Sequence, residues 1–350
     1  TMVQAPEPAT ERNWPDHGFP LGTYGPLPKE MEARANEQLD NFAKLLQDRG
    51  IRVDRPTLLD FSQEVRTPDW VQKSMFGCMP PRDLLLTVGN EILEATMSQR
   101  SRWHEYLCYR PLLEQYFKED PFFKWESAPK PRLTDETYKK DYWRKWEKKS
   151  KEEQEKAIYE RDWILTEKEP CFDAADIGRA GKDLFVYNSS VTNKAGIEWL
   201  KRHFSKHRIH TIWFYEKNGF HIDATFVLLR PGLALSNPKR IPLAPNMLEY
   251  FKWNDWEVVK SAKPALDDYP PLSFCSPWLS MNTLVLDPKT ICVDAQEKDQ
   301  MAQFDKLGFE VIPVEFADVS PFGGGLHCAT ADVYREGTCE DYFPKQVEGF

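Results

Sequence analysis

The sequence predicts an α/β fold in which one small unit recurs five times, the copies arranged as a ring or solenoid. The order helix, strand, polar lead-in, strand, turn, strand returns along the chain. The turn pairs Gly89-Asn90, Pro231-Gly232 and Pro288-Lys289 separate short apolar runs. A period of roughly 40–60 residues favours a repeat architecture over two independent domains.

The elements follow in order. Met31 to Asp48 has helical apolar spacing (Leu39, Phe42, Leu45, Leu46) and stops at Gly50, after which Ile51-Arg52-Val53 reads as a strand. Pro81-Arg82-Asp83 leads into a strand over 84–88, with 91–96 as its return. The next copy takes a helix at 112–117, a lead-in at Glu169 to Asp176, a turn at Ala180-Gly181 and a return at 184–187. A helix at 197–204 and a strand at 209–214 precede a strand over 221–229, which returns at 233–235. Then come a helix at 246–253, a strand at 256–260, a lead-in at 278–282, and strands at 283–286 and 291–294. The last copy has a helix at 300–307 and a strand at 309–316, and its glycine run Gly323-Gly324-Gly325 delivers Cys328 to the start of a strand-like segment. The lead-ins carry Asp83, Asp173, His221, Ser276 to Ser280 and Cys328, and a closed ring brings all five to one axis. Edge and turn residues of an ordinary α/β protein are the alternative, and such residues would not usually be Asp, Asp, His, Ser and Cys.

Residues 138–162 interrupt the pattern, and their mixed charge reads as a solvated helix or mobile insertion. Residues 1–28 read as an irregular arm ahead of a catalytic domain over 29–345. Thr1 precedes Met2, so the numbering is expected to begin inside a longer chain or after a removed segment.

Apolar residues make up 41% of the 350, enough for a core, which excludes disorder for most of the chain. A net charge of -9 with no basic stripe argues against nucleic acid as a partner and suits a cationic substrate. No apolar run reaches the ~18 residues that a membrane span needs, and no signal segment opens the chain, so a cytoplasmic protein is expected. Seven scattered cysteines without a C-x-x-C pair point to neither a disulfide framework nor a zinc site, and no metal is expected. His327 and Cys328, adjacent on a strand, would point to opposite sides.

Glycines before Cys328 permit a tight turn that sets a thiol at the floor of a cleft. A phosphate cradle is disfavoured, because no Lys-Ser/Thr follows. A thiol becomes nucleophilic beside cations, a bound cationic substrate included. His221 is the natural acid/base partner, with Asp173 to orient it. Asp83 and Asp223 supply carboxylates that match the N–H fork of a guanidinium. For Asp83 the competing reading is a structural ion pair with the adjacent Arg82.

The motifs Thr67-Pro68-Asp69, Pro81-Arg82-Asp83, Ser127-Ala128-Pro129-Lys130-Pro131, Glu169-Pro170-Cys171-Phe172-Asp173-Ala174-Ala175-Asp176, His221-Ile222-Asp223-Ala224-Thr225-Phe226, Leu235-Ser236-Asn237-Pro238, Trp278-Leu279-Ser280-Met281-Asn282 and Gly323-Gly324-Gly325-Leu326-His327-Cys328 occur in order. Over about residues 28–340 this string resembles the amidinotransferases of the pentein superfamily. The resemblance implies a five-module αββαβ propeller working without metal or organic cofactor. It implies that Cys328 attacks the guanidino carbon of L-arginine, that His221 protonates departing ornithine and deprotonates an incoming amine, and that Asp173 supports His221. Asp83 and Asp223 would hold guanidino nitrogens, and Arg240 and Ser276 match positions that bind the carboxylate and backbone groups of the substrate. Homodimers are common in this family. Asn218 matches the glycine-using enzymes, whereas Phe220 replaces a methionine expected before the histidine, which favours a natural-product amine as acceptor. The family's usual opening strand is absent, and the 138–162 insertion is longer than expected. A glycine-using transferase, a guanidino hydrolase of the same fold and a noncatalytic arginine-binding protein remain alternatives.

Overall fold

In the computed structural model, the described residues are 2–3, 7–9, 25–217, 219–268, 275–347 and 350. Among them, four three-stranded sheets share one plan: an antiparallel hairpin, a helix, and a third strand laid parallel to the second. The first has β1 (Leu85–Val88), β2 (Glu91–Glu94), a helix over Tyr106–Glu119 and β3 (Lys124–Ser127). The second has β4 (Ile177–Ala180), β5 (Asp183–Tyr187), a helix over Lys194–His203 and β6 (Arg208–Ile212). The third has β7 (Phe226–Arg230), β8 (Leu233–Ser236), a helix over Met247–Trp253 and β9 (Glu257–Lys260). The fourth has β10 (Leu284–Asp287), β11 (Thr290–Asp294), a helix over Lys298–Lys306 and β12 (Glu310–Val314).

The plan follows from local chemistry. Two-residue hairpin turns commonly use a positive φ, and Gly181 supplies it at +59° between β4 and β5. A parallel partner cannot be reached by a short turn, so each third strand comes after a helical crossover. The second strand of each sheet is then paired on both sides and buried; every residue of β5 is. The helix at Lys29–Asp48 places Ala35, Phe42 and Leu46 against Ile312, Val314, Phe316 and Leu326, so the start of the described fold packs on its end. Burial of each of these side chains other than Ala35 contributes about 1.5–3 kcal/mol.

Each sheet is entered through a short helical turn: Pro81–Leu84, Ala174–Asp176, Ile222–Ala224 and Pro277–Met281. Asp83, Asp173, His221 and Ser276 lie in these turns or cap them.

Several expectations are corrected. No strand forms at 51–53, because the Ile51 N–H closes the preceding helix onto the Leu46 carbonyl while Gly50, at φ +79°, bonds to Gln47. The strand expected from His221 begins only at Phe226. Cys328 lies in a turn, and Ala329 N–H and Thr330 N–H bond back to Gly325 and His327. The insertion is two helices, Tyr142–Lys148 and Lys151–Glu160, the second opened by a Ser150/Glu153 capping box. Tyr142, Trp143 and Trp146 are buried with Ile158 and Trp163 in a cluster that also takes in Trp70, Leu133 and Cys171, so the charged residues of 138–162 cover an apolar face. No helix of the described residues is long and apolar enough to cross a membrane.

Candidate active site

His221 has φ +53° and ψ 133°, a conformation that a non-glycine residue holds at a cost of about 1–3 kcal/mol when its surroundings require it. The surroundings are carboxylates. Its Nε2 lies 3.2 Å from Asp173 Oδ2, and its Nδ1 lies 3.5 Å from Asp83 Oδ1. Burial disfavours charge on the imidazole, but Asp83, Asp173 and Asp176 outweigh it and push its pKa up to about 9. The Phe220 ring stacks on it with centroids 3.9 Å apart.

Asp83 is not paired with Arg82. Its Oδ2 accepts from Arg102 Nη1 at 2.7 Å, and the rest of that buried guanidinium forks onto Glu105 at 2.9 Å and 2.9 Å. Burial pushes the Asp83 carboxyl up, although His221 and Arg102 oppose this. Asp83 Oδ1 and Asp173 Oδ1 are both buried without a hydrogen-bond partner, which leaves acceptor capacity facing the cluster.

Arg82 holds the cysteine loop. Its Nε donates to the His327 carbonyl at 2.8 Å and its Nη1 to Asp332 at 3.0 Å, and Arg179 donates to the same Asp332 oxygen at 2.7 Å. Asn282 fixes Cys328 itself. Its Oδ1 accepts from the His327 and Cys328 N–H groups, each at 3.0 Å, and its Nδ2 donates to Cys328 Sγ at 3.1 Å. Gly324 makes the approach possible: a Cβ there would lie 2.3 Å from Cys328 Cβ.

Asp223 Oδ2 accepts from Cys328 Sγ at 3.4 Å and contacts His327 Nδ1 at 2.8 Å. Burial opposes ionisation, but His327 and then His221 hold Asp223 at about 2, so it is the anion of this group. Burial and Arg82 push His327 below its ordinary value, so its neutral imidazole donates from Nδ1. Burial pushes the Cys328 thiol far up, and Asp223 and Asp83 add to it. The resting Cys328 side chain is therefore a thiol, and a cation held by these two aspartates would lower its pKa.

Arg240 Nη1 donates to the Ala224 carbonyl at 3.1 Å and to Thr225 Oγ1 at 2.7 Å, and its Nη2 lies 2.9 Å from Glu216. It lines a cleft of about 910 Å³ with Ser276, Trp278, Tyr215 and, from the insertion, Lys151 and Glu155. Cys328 and His221 are not among that cleft's walls. Asn218 lies outside the described residues.

The sequence-predicted residues thus form two bonded groups, His221 with Asp173 and Asp83, and Cys328 with Asp223, close enough that His221 acts on Asp223 and Asp83 on Cys328, and Arg240 joins them through the residues that follow Asp223. Arg102, Asn282 and His327 were missed. Asn282 ends a motif to which no role was given, and Arg102 carries no local signal. Adjacent residues of a strand would diverge, but in the turn that forms here both His327 and Cys328 reach Asp223.

No protein-family model matches the chain. It is 43% identical over 336 residues to the mitochondrial glycine amidinotransferase of Danio rerio, covering 95% of this chain and 76% of that one. It is 38% identical over 318 residues to the L-arginine:L-lysine amidinotransferase of Pseudomonas savastanoi pv. phaseolicola, covering 91% and 83%. Its structure is similar to that of the saxitoxin-pathway amidinotransferase of Microseira wollei, with a TM-score of 0.84, 35% identity, and 97% and 94% of the two chains covered. By sequence and by architecture, the chain belongs to the amidinotransferase family.

Proposed function

We propose that this amidinotransferase moves the amidino group of L-arginine through an amidino-cysteine at Cys328 to a primary amine, with release of ornithine. Asp83 and Asp223 hold the guanidino nitrogens, and the cation between them lets the thiol lose its proton to solvent. The Cys328 sulfur then bonds to the central guanidino carbon. The bond from that carbon to the ornithine nitrogen breaks as His221, oriented by Asp173, gives that nitrogen its proton. The acceptor amine attacks the same carbon, the C–S bond breaks, and His221 takes the proton that the amine sheds. Arg240 and Ser276 hold the amino-acid end of the substrate. Arg240 has five N–H donors and spends three hydrogen bonds on Ala224, Thr225 and Glu216.

The observation that carries this reading is the pairing of carboxylates, Asp83 beside the His221 base and Asp223 beside the Cys328 thiol. A planar guanidinium is the substrate that such a pair suits. Phe220 stacks on the His221 ring with centroids 3.9 Å apart, and an aromatic side chain beside the base supports an acceptor other than glycine. The acceptor is therefore read as a larger amine of guanidine natural-product (toxin or antibiotic) biosynthesis. The same reading takes residues 29–345 as one catalytic domain, a pseudo-fivefold αββαβ propeller. Its fifth module is the Cys328 loop with the helix at Lys29–Asp48, which share one core.

The test is intact-protein mass spectrometry with L-arginine and no acceptor, beside Cys328→Ala. A gain of about 42 Da on the wild type alone, with ornithine released, is expected from nucleophilic catalysis. The trapped enzyme is then offered glycine, L-lysine and larger amines. Neither adduct nor ornithine would overturn the transferase mechanism, citrulline would point to a hydrolase, and guanidinoacetate as the best product would replace the larger acceptor with glycine.

A further inference from the structure

Behind Asp173 lies a fourth buried carboxylate that the proposed steps do not use. Asp176 is fully buried, and its Oδ2 accepts from Ser189 Oγ and Thr192 Oγ1, each at 2.6 Å. Both hydroxyls are committed further. Ser189 Oγ accepts from the N–H groups of Val191 and Thr192 at 3.1 Å and 3.2 Å, which shapes the loop after β5. Thr192 Oγ1 accepts from the Asp173 N–H at 3.3 Å. From the same loop, Ser190 donates to the Gly219 carbonyl through its N–H at 2.8 Å and its Oγ at 2.6 Å, two residues before His221. One carboxylate therefore anchors a loop that bonds to the backbone on both sides of the His221–Asp173 pair.

We propose that Asp176 is a positioning residue for amidino transfer: through Ser189 and Thr192 it sets Asp173 and the segment before His221 in their working geometry, and its charge supports the protonated imidazole. A core hydroxyl pair would be satisfied as well by a neutral acceptor, and a carboxylate in a dry site is costly unless a nearby cation offsets it. The cation within reach is His221. Burial pushes Asp176 up to about 7 against the pull of His221, Ser189 and Thr192, with Asp173 adding to the rise. The groups facing the imidazole are Asp83, Asp173, Asp176 and Asp223, with Arg102 behind Asp83. Tyr187 faces Asp176 from β5, and its hydroxyl donates to Glu216 at 3.1 Å.

This inference rests on the acid/base role proposed for His221, and the experiment separates the two. Ornithine release is measured in single turnovers from about pH 6 to 10 for the wild type, Asp176→Asn and Thr192→Val, with arginine dissociation constants measured on each in a Cys328→Ala background. Folding is checked by circular dichroism and thermal melting. Asp176→Asn keeps the shape and removes the charge, so its rate should fall about tenfold to a hundredfold while arginine affinity stays within about twofold. Its basic limb should move down by about one pH unit from the wild-type position near 9. Thr192→Val cuts the bond to Asp173 and one of the two hydroxyl bonds to Asp176 but leaves the carboxyl in place, so its rate should fall with a smaller shift of the limb than in Asp176→Asn. A folded Asp176→Asn enzyme with the wild-type rate and profile would overturn the proposal, as would an unchanged rate in Thr192→Val should Asp176→Asn fail to fold. A wild type that forms no amidino-cysteine would overturn the underlying mechanism instead.

Discussion

Replacing Asn282 with aspartate exchanges one nitrogen for oxygen and leaves the outline of the side chain unchanged. An oxygen still accepts from the N–H groups of His327 and Cys328, at the 3.0 Å seen for Asn282, so the loop keeps its shape. What is lost is the donor 3.1 Å from Cys328 Sγ, and an acceptor takes its place. A hydrogen bond to a charged group is worth about 1.5–3 kcal/mol, which raises a thiol by about one to two further pKa units. Burial, Asp223 and Asp83 already hold the wild-type thiol high, so this loss adds to an existing penalty. The assay is the pH dependence of Cys328 alkylation by iodoacetamide, followed by peptide mass spectrometry so that the other six cysteines do not contribute. Alkylation at a fixed pH below the thiol pKa should fall about tenfold to a hundredfold, and amidino-cysteine formation should slow alongside it. An Asn282→Asp enzyme that alkylates and turns over like the wild type would refute the claim that this amide supports the thiolate.

Two further predictions concern binding and packing. Asp223→Asn removes the carboxylate held ionised at about 2, and calorimetry in a Cys328→Ala background should find arginine bound about 10- to 100-fold more weakly; equal affinity would remove Asp223 from the guanidinium site. Trp146→Ala empties a fully buried position in the core that the insertion shares with Trp70 and Leu133, and denaturant unfolding should lose about 3–5 kcal/mol, whereas a detached surface helix would lose almost nothing.

Much of the repeat could be read from the chain because its signals are local. Helical spacing ending at Gly50, and paired apolar runs around Gly89, Gly181 and Gly232, depend on residues a few positions apart. The chemistry-bearing residues stood out for a related reason, since each occupies the polar step before a strand or turn of the unit. The charged insertion was misread because charge spacing reports the outer face of a helix and is silent on what Tyr142, Trp143 and Trp146 pack against.

The sequence alone was enough for most helices and hairpins and their order, and it singled out the cysteine, histidine and aspartates that the fold brings near one another. Tertiary structure chose their partners. Asp83 pairs with Arg102 and not its neighbour Arg82, because the short helix at Pro81–Leu84 turns the two side chains apart. His327 and Cys328 share Asp223 because a turn replaces the expected strand, and Asn282 reaches both from another sheet's lead-in. Hydrogen bonds and charge act over a few ångströms in space, and spacing along the chain does not encode which distant segments come that close.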